Sequence, residues 1–256
     1  MRDSRTGARL MDYEYLIGAL GGTGPAAHRP VSIAARAVVR EWAIRVLRGV
    51  ADGTSPVRAI THPLGFTCLP VERAGRDGVC VHLWSPRVDR VAPTTSAIHA
   101  HCWELTSYAL FGQLDNRVMV VANAAAPGSH TRDDQAWEDR AGGVHRVLEV
   151  RSAGDVDELV PTSRYVRCLP GQRQAVTAGD VYSVPAGVFH ATAVRPDAEA
   201  ATVALGRMVP GVPDRSLGEP GAGSHQVRRR RCDVEQTSRA ALIVVDRLLA
   251  ATVCPA

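Results

Sequence analysis

Two histidines separated by one residue, His99 and His101 in Ser96-Ala97-Ile98-His99-Ala100-His101-Cys102-Trp103-Glu104, meet a recognisable chemical need. In an extended strand side chains repeat every two residues, so both imidazoles project from one face and can share a metal ion. A second stretch, Gly179-Asp180-Val181-Tyr182-Ser183-Val184-Pro185-Ala186-Gly187-Val188-Phe189-His190, is a β-rich run ending in a Pro-x-Gly turn. Such a turn carries His190 onto the next strand, where it can supply a third ring nitrogen. Three neutral imidazoles hold a divalent first-row metal and leave positions open for substrate and for dioxygen or water. Fe(II) there can bring substrate and O2 together, whereas Zn(II) acts as a Lewis acid or lowers the pKa of bound water to about 7.

The elements that must position these residues are mostly short strands. Alternation and β-branched content predict strands near 66–71, 79–84, 96–101, 105–111, 117–122, 144–150, 164–169, 173–177, 181–184, 189–194 and 201–207, with Gly, Pro, Asp and Asn between them. Many short strands so punctuated imply a sandwich or barrel. Before them, 31–47 has apolar positions at helical spacing, with Glu41 and Arg45 paired on the wet side and Gly49 closing the helix. After them, 234–252 returns to helical spacing, with Ala240, Ala241, Val244, Val245, Leu248 and Leu249 on one face, fit to pack on the barrel or on a partner subunit. Residues 1–30 read as irregular, and 209–224, rich in Gly and Pro, as a linker. Residues 123–141 form a polar insertion, briefly helical at 133–140, that is a candidate lid. The domain division is 1–58, an irregular segment and amphipathic helix; 59–208, the barrel; and 209–256, the linker and C-terminal helix.

Composition bounds the rest. The hydrophobic share of 45% and charged share of 22% are those of a soluble globular protein, and no apolar run approaches the ~18 residues of a membrane span. The first ten residues are polar and Arg-rich without a following apolar block, so no secretory signal is expected and the cytoplasm is the default. All 30 basic residues are arginine, which reads as codon usage, and the net charge of +4 says little about partners. The run Arg228–Arg231 lacks interleaved aromatics and reads as a solvated segment, so no nucleic acid or membrane partner is expected. The six cysteines form no Cys-x-x-Cys pair and are expected to be reduced and buried, Cys102 included. The glycines at 18–24 match no phosphate-loop spacing.

Taken together, the two histidine-bearing stretches resemble the motifs of the cupin superfamily over residues 60–208. Gly179, Pro185, Gly187 and His190 match every fixed position of the family's second motif, and His99, His101 and Gly112 match the first. The family's Glu falls at Leu105, whereas the acid present is Glu104, which by strand parity faces the other way unless a bulge shifts the register. Residues 79–101 also look like the corresponding part of the thiol dioxygenases, which use three histidines and no Glu. The resemblance implies a mainly β fold, a cupin-type jelly-roll β-barrel with flanking N- and C-terminal α-helices, in a homodimer. It implies one divalent metal ion at His99, His101 and His190, with Glu104 as an optional fourth ligand. Fe(II) is favoured, with Zn(II), Mn(II) or Ni(II) as alternatives. The implied activity is a dioxygenase or other oxygenase acting on a small metal-chelating organic molecule. The alternatives are a non-redox Zn(II) or Mn(II) isomerase or lyase, and a non-catalytic small-molecule-binding or sensing module. His82, Tyr108 and Tyr182 are the candidate catalytic residues near the motif. Arg117, Arg164, Arg167, Arg173 and Arg207 are each able to anchor a substrate carboxylate through a bidentate fork.

Overall fold

The computed structural model describes residues 11–22, 28–126 and 143–251. The expected helix at 133–140 and most of the candidate lid fall outside the described residues. Three helices are found among those described: α1 (Met11–Ala19), α2 (Ile33–Ala51) and α3 (Val234–Ala250). The strands are β1 (Arg29–Pro30), β2 (Ile60–His62), β3 (Phe66–Ala74), β4 (Asp77–Trp84), β5 (His99–Ala100), β6 (Trp103–Phe111), β7 (Gln113–Ala124), β8 (Val144–Ala153), β9 (Val156–Thr177), β10 (Asp180–Val184), β11 (His190–Ala193), β12 (Ala200–Met208), β13 (Asp214–Gly218), β14 (His225–Arg228) and β15 (Arg230–Arg231).

They form two antiparallel sheets. The first has the order β1-β10-β6-β12-β4-β3-β2-β15, and the second β14-β9-β7-β11-β5-β13-β8. In the second sheet β8 also pairs with β9, because the C-terminal part of this 22-residue strand runs beside β7 and its N-terminal part beside β8. Where two separate strands are predicted at 164–169 and 173–177, the chain makes one, with a register shift between Arg117 and Met119 of its partner absorbing the break.

Period-two alternation sorts the first sheet into two faces. Leu69, Val79, Val81, Leu83, Val203 and Leu205 point outward into one apolar cluster with the three helices. Cys68, Cys80, Trp84 and Ala204 point inward, toward the second sheet. Fully burying one such aliphatic side chain contributes about 1.5–3 kcal/mol, so the helix layer and the outer sheet face stabilise one another.

The helices follow from their sequences. Ser32 caps α2, its hydroxyl accepting from Ala35 N–H at 3.2 Å, and Ala35, Val39, Trp42, Ala43, Leu47 and Val50 form the buried stripe. The helix passes the expected stop at Gly49 and ends before Gly53, whose φ of 74° is the left-handed conformation that closes a helix C-terminus. Asp233 and Gln236 make a capping box on α3, which packs on α2 and on the outer face of the first sheet. Leu249, expected on its buried face, is 38% exposed, and Ile243 is buried instead. The segment around α1 is not irregular as expected: Tyr13, Leu16, Ile17 and Leu20 pack into the same cluster. No helix among the described residues is long and apolar enough to cross a membrane.

The 209–224 stretch is not a plain linker. Its Asp214–Gly218 portion is β13, inserted between β5 and β8 in the second sheet. The sequence Asp-Arg-Ser-Leu-Gly carries no β-branched residue to announce a strand, and its pairing comes from the neighbours on either side.

Candidate metal centre

His190 opens β11 and lies directly opposite His99 of β5 in the antiparallel ladder, so the two imidazoles stand side by side on the inner face. His101 follows β5 by one residue. Its carbonyl accepts from Gly187 N–H at 2.8 Å, which ties the Pro185-Ala186-Gly187 turn to the first histidine stretch. Gly187 has φ of 77°, a conformation that favours glycine, and this explains the residue's place in the turn. The three rings have centroids 4.4–4.9 Å apart. Their ligand atoms lie within 4.8 Å of one another, and the Nε2 atoms of His99 and His101 are 3.2 Å apart.

The other ring nitrogen is fixed at two of these histidines. His99 Nδ1 is 2.9 Å from Ala97 O, and His190 Nδ1 is 3.3 Å from Val188 O. A carbonyl only accepts, so each Nδ1 carries the proton and each Nε2 presents its lone pair. Burial adds to this by disfavouring imidazolium: it lowers His99, lowers His101 well below its ordinary value with His99 and His190 adding to the effect, and holds His190 at about 3. Three neutral imidazoles converge, a donor set that could hold one divalent ion.

Beside them a cavity of about 450 Å³ opens between the sheets, lined by His99 and His101 on one side and by Phe66, Cys68, Cys80 and His82 on the other. His190, only 2% exposed, stands behind the cavity wall.

Glu104 does not join the histidines. The register of β6 is regular here, with Glu104 opposite Arg207 and Leu105 opposite Gly206, so no bulge turns the acid inward. Leu105 lines the cavity, while Glu104 is exposed on the other face, near Tyr13. Tyr108, on the same outward parity, is buried against the helix layer. Tyr182 points inward, but its hydroxyl is engaged with Ser107 and Thr192, and it is absent from the cavity lining. Of the three candidate catalytic residues only His82 reaches the cavity, its ring 4.5 Å from that of Phe66.

None of the five candidate arginine anchors lines the cavity. Arg173 is paired with Asp115, and Arg207 with Asp77 and Glu14. The cavity arginines are Arg73, stacked 5.2 Å over the Trp103 ring, Arg215, and Arg229, which pairs with buried Asp157 at 2.6 Å. Arg228, Arg230 and Arg231 are exposed, as a solvated segment would be, the first two pairing with Asp155 and Asp89, and Arg229 alone turns toward the cavity. His62 also lines the cavity, stacked on Phe66 at 4.3 Å, with its pKa well below the ordinary value through burial and the neighbouring His82, and no motif in the sequence marks it. Strand parity is no guide to Cys102, because β5 ends at Ala100. Cys102 lines the cavity, and burial with Asp214 nearby pushes its thiol up to about 12.

Comparison with known proteins adds little. No protein-family model matches the chain, and no curated protein matches its sequence. Among solved structures, hydroquinone 1,2-dioxygenase from Sphingomonas sp. TTNP3 with 4-hydroxybenzoate bound is similar at 13% identity and a TM-score of 0.28, over 61% of this chain and 71% of that one. Likeness of that size leaves function to be argued from the site.

Proposed function

We propose that the chain is a mononuclear metal-dependent oxygenase on a cupin-type jelly-roll barrel. His99, His101 and His190 hold one ferrous ion, and a small organic substrate enters the adjacent cavity. The observation that carries this reading is the convergence of three neutral imidazoles within 4.8 Å, two of them with Nδ1 tied to a backbone carbonyl, on a cavity wall with no carboxylate among the ligands. When bound, Fe(II) would supply a centre with open positions able to take a chelating substrate and dioxygen.

The protein's own residues do the rest. Ala97 O and Val188 O fix the tautomer and ring orientation of His99 and His190. Phe66 and Trp103 give the cavity flat apolar walls that favour an unsaturated or aromatic substrate. Arg73, which lines the cavity, offers a guanidinium to an anionic group.

The test is oxygen uptake by anaerobically iron-reconstituted protein with a panel of thiols, catechols and amino-acid-like acids. Oxygen consumption matched by product, and lost in His101→Ala, is expected. Metal-dependent turnover under strict anaerobiosis would point instead to an isomerase or lyase, and a stable ligand complex without product to a binding module.

A further inference from the structure

The inner face of the first sheet carries a second convergent group. Cys80 and His82 lie two residues apart on β4, so both project into the cavity. On β3, Cys68 lies directly opposite His82 in the ladder, and the register slip of this strand pair comes only after Pro70. The two sulfurs and an imidazole nitrogen lie within 4.8 Å of one another. Three ligands on one ion at bonds of about 2.3 Å lie about 3.8–4.0 Å from one another, so side-chain adjustments of up to about 1 Å bring these atoms to the separation a single ion requires.

We propose that Cys68, Cys80 and His82 form a second metal site, on the cavity wall facing the trihistidine group, that takes a thiophilic d10 ion, Zn(II) or Cu(I). Two thiolates and an imidazole are softer than three imidazoles, and soft donors select these ions over Fe(II). The donor sets therefore sort two metals within one cavity. The metal would displace both thiol protons, and the two resulting thiolates cancel the charge of Zn(II). All three residues line the open cavity, which leaves a further coordination position for water or a ligand group.

The test uses the full chain, stripped of metal and kept reduced under anaerobic conditions, with Co(II) as the spectroscopic probe. A thiolate-to-Co(II) charge-transfer band is expected. It should persist in His190→Ala, which disables the trihistidine site, and vanish in Cys68→Ser/Cys80→Ser, which should still bind Co(II) at the histidines. The inference does not rest on the oxygenase reading, and these two variants separate their failures. Alkylation of the unmutated protein gives a measurement that does not depend on a variant's folding: one equivalent of Zn(II) or Cu(I) should protect Cys68 and Cys80 from a maleimide, as read by peptide mass. Absence of the band in unmutated protein, its survival in the double cysteine variant, or unprotected Cys68 and Cys80 would each overturn the proposal.

Discussion

The two side-chain groups facing each other across the cavity share a construction and differ in their atoms. In each, one strand or its immediate continuation supplies two ligands at positions i and i+2, and the neighbouring strand supplies a third directly opposite one of them: His99, His101 and His190 in one sheet, Cys80, His82 and Cys68 in the other. Strand geometry therefore suffices to make a three-atom convergence twice. What separates them is donor type. The first group offers three nitrogens that burial keeps neutral. The second offers two sulfurs and one nitrogen, and hydrogen bonding between the sulfurs sets the two thiols apart, lowering Cys80 and raising Cys68.

The comparison can be broken in several places. Removing one imidazole has the largest expected effect: His190→Ala should lower iron-dependent oxygen consumption more than about 100-fold, since even groups that only orient metal ligands are worth 10–100-fold, while leaving the cysteine group's metal signal intact. Next come neighbouring residues on opposite faces of β3. Leu69→Ala, in the helix-covered cluster, should cost about 2–5 kcal/mol in a urea titration, whereas Cys68→Ser, facing the cavity, should cost no more than about 1–2 kcal/mol.

Acid should act on the histidine group more gradually. Its folded-state pKa values lie below the ordinary 6.5, with His190 at about 3, so below pH 6.5 the unfolded chain binds more protons than the folded one. The metal-free protein should therefore lose stability progressively as pH falls from about 6.5 toward 3. Urea midpoints across that range should decline less steeply in His190→Ala, and parallel profiles would contradict the assignment. The smallest effect is expected from Glu104→Ala, which should leave metal content unchanged and stability within about 0.5 kcal/mol, as for an ordinary surface substitution.

Much of this was legible in the sequence because the periodicities are strong. The i, i+2 spacing of His99 and His101 fixed their common face, and the Pro-x-Gly turn announced the return of His190. The stripes of α2 and α3 and the alternation in β4 and β12 are equally direct. What was missed depends on long-range pairing. Tyr13, Leu16, Ile17 and Leu20 stand at helical spacing, but α1 is only nine residues long and is held by packing in the helix-covered cluster rather than by a local signal. Cys80 and His82 visibly share a face, yet nothing in the sequence brings Cys68 opposite His82, since that needs the β3–β4 register. The choice among arginines also depends on which strand faces meet the cavity, and with 30 arginines the sequence offers no means of choosing.

The most direct test of the central claim is metal analysis of the full chain after anaerobic reconstitution with Fe(II), beside His190→Ala treated identically. Near-stoichiometric iron in the first and its loss in the second is the predicted result. Iron that fails to bind the unmutated protein, or that binds the variant equally well, would contradict the assignment of His99, His101 and His190 as a metal centre.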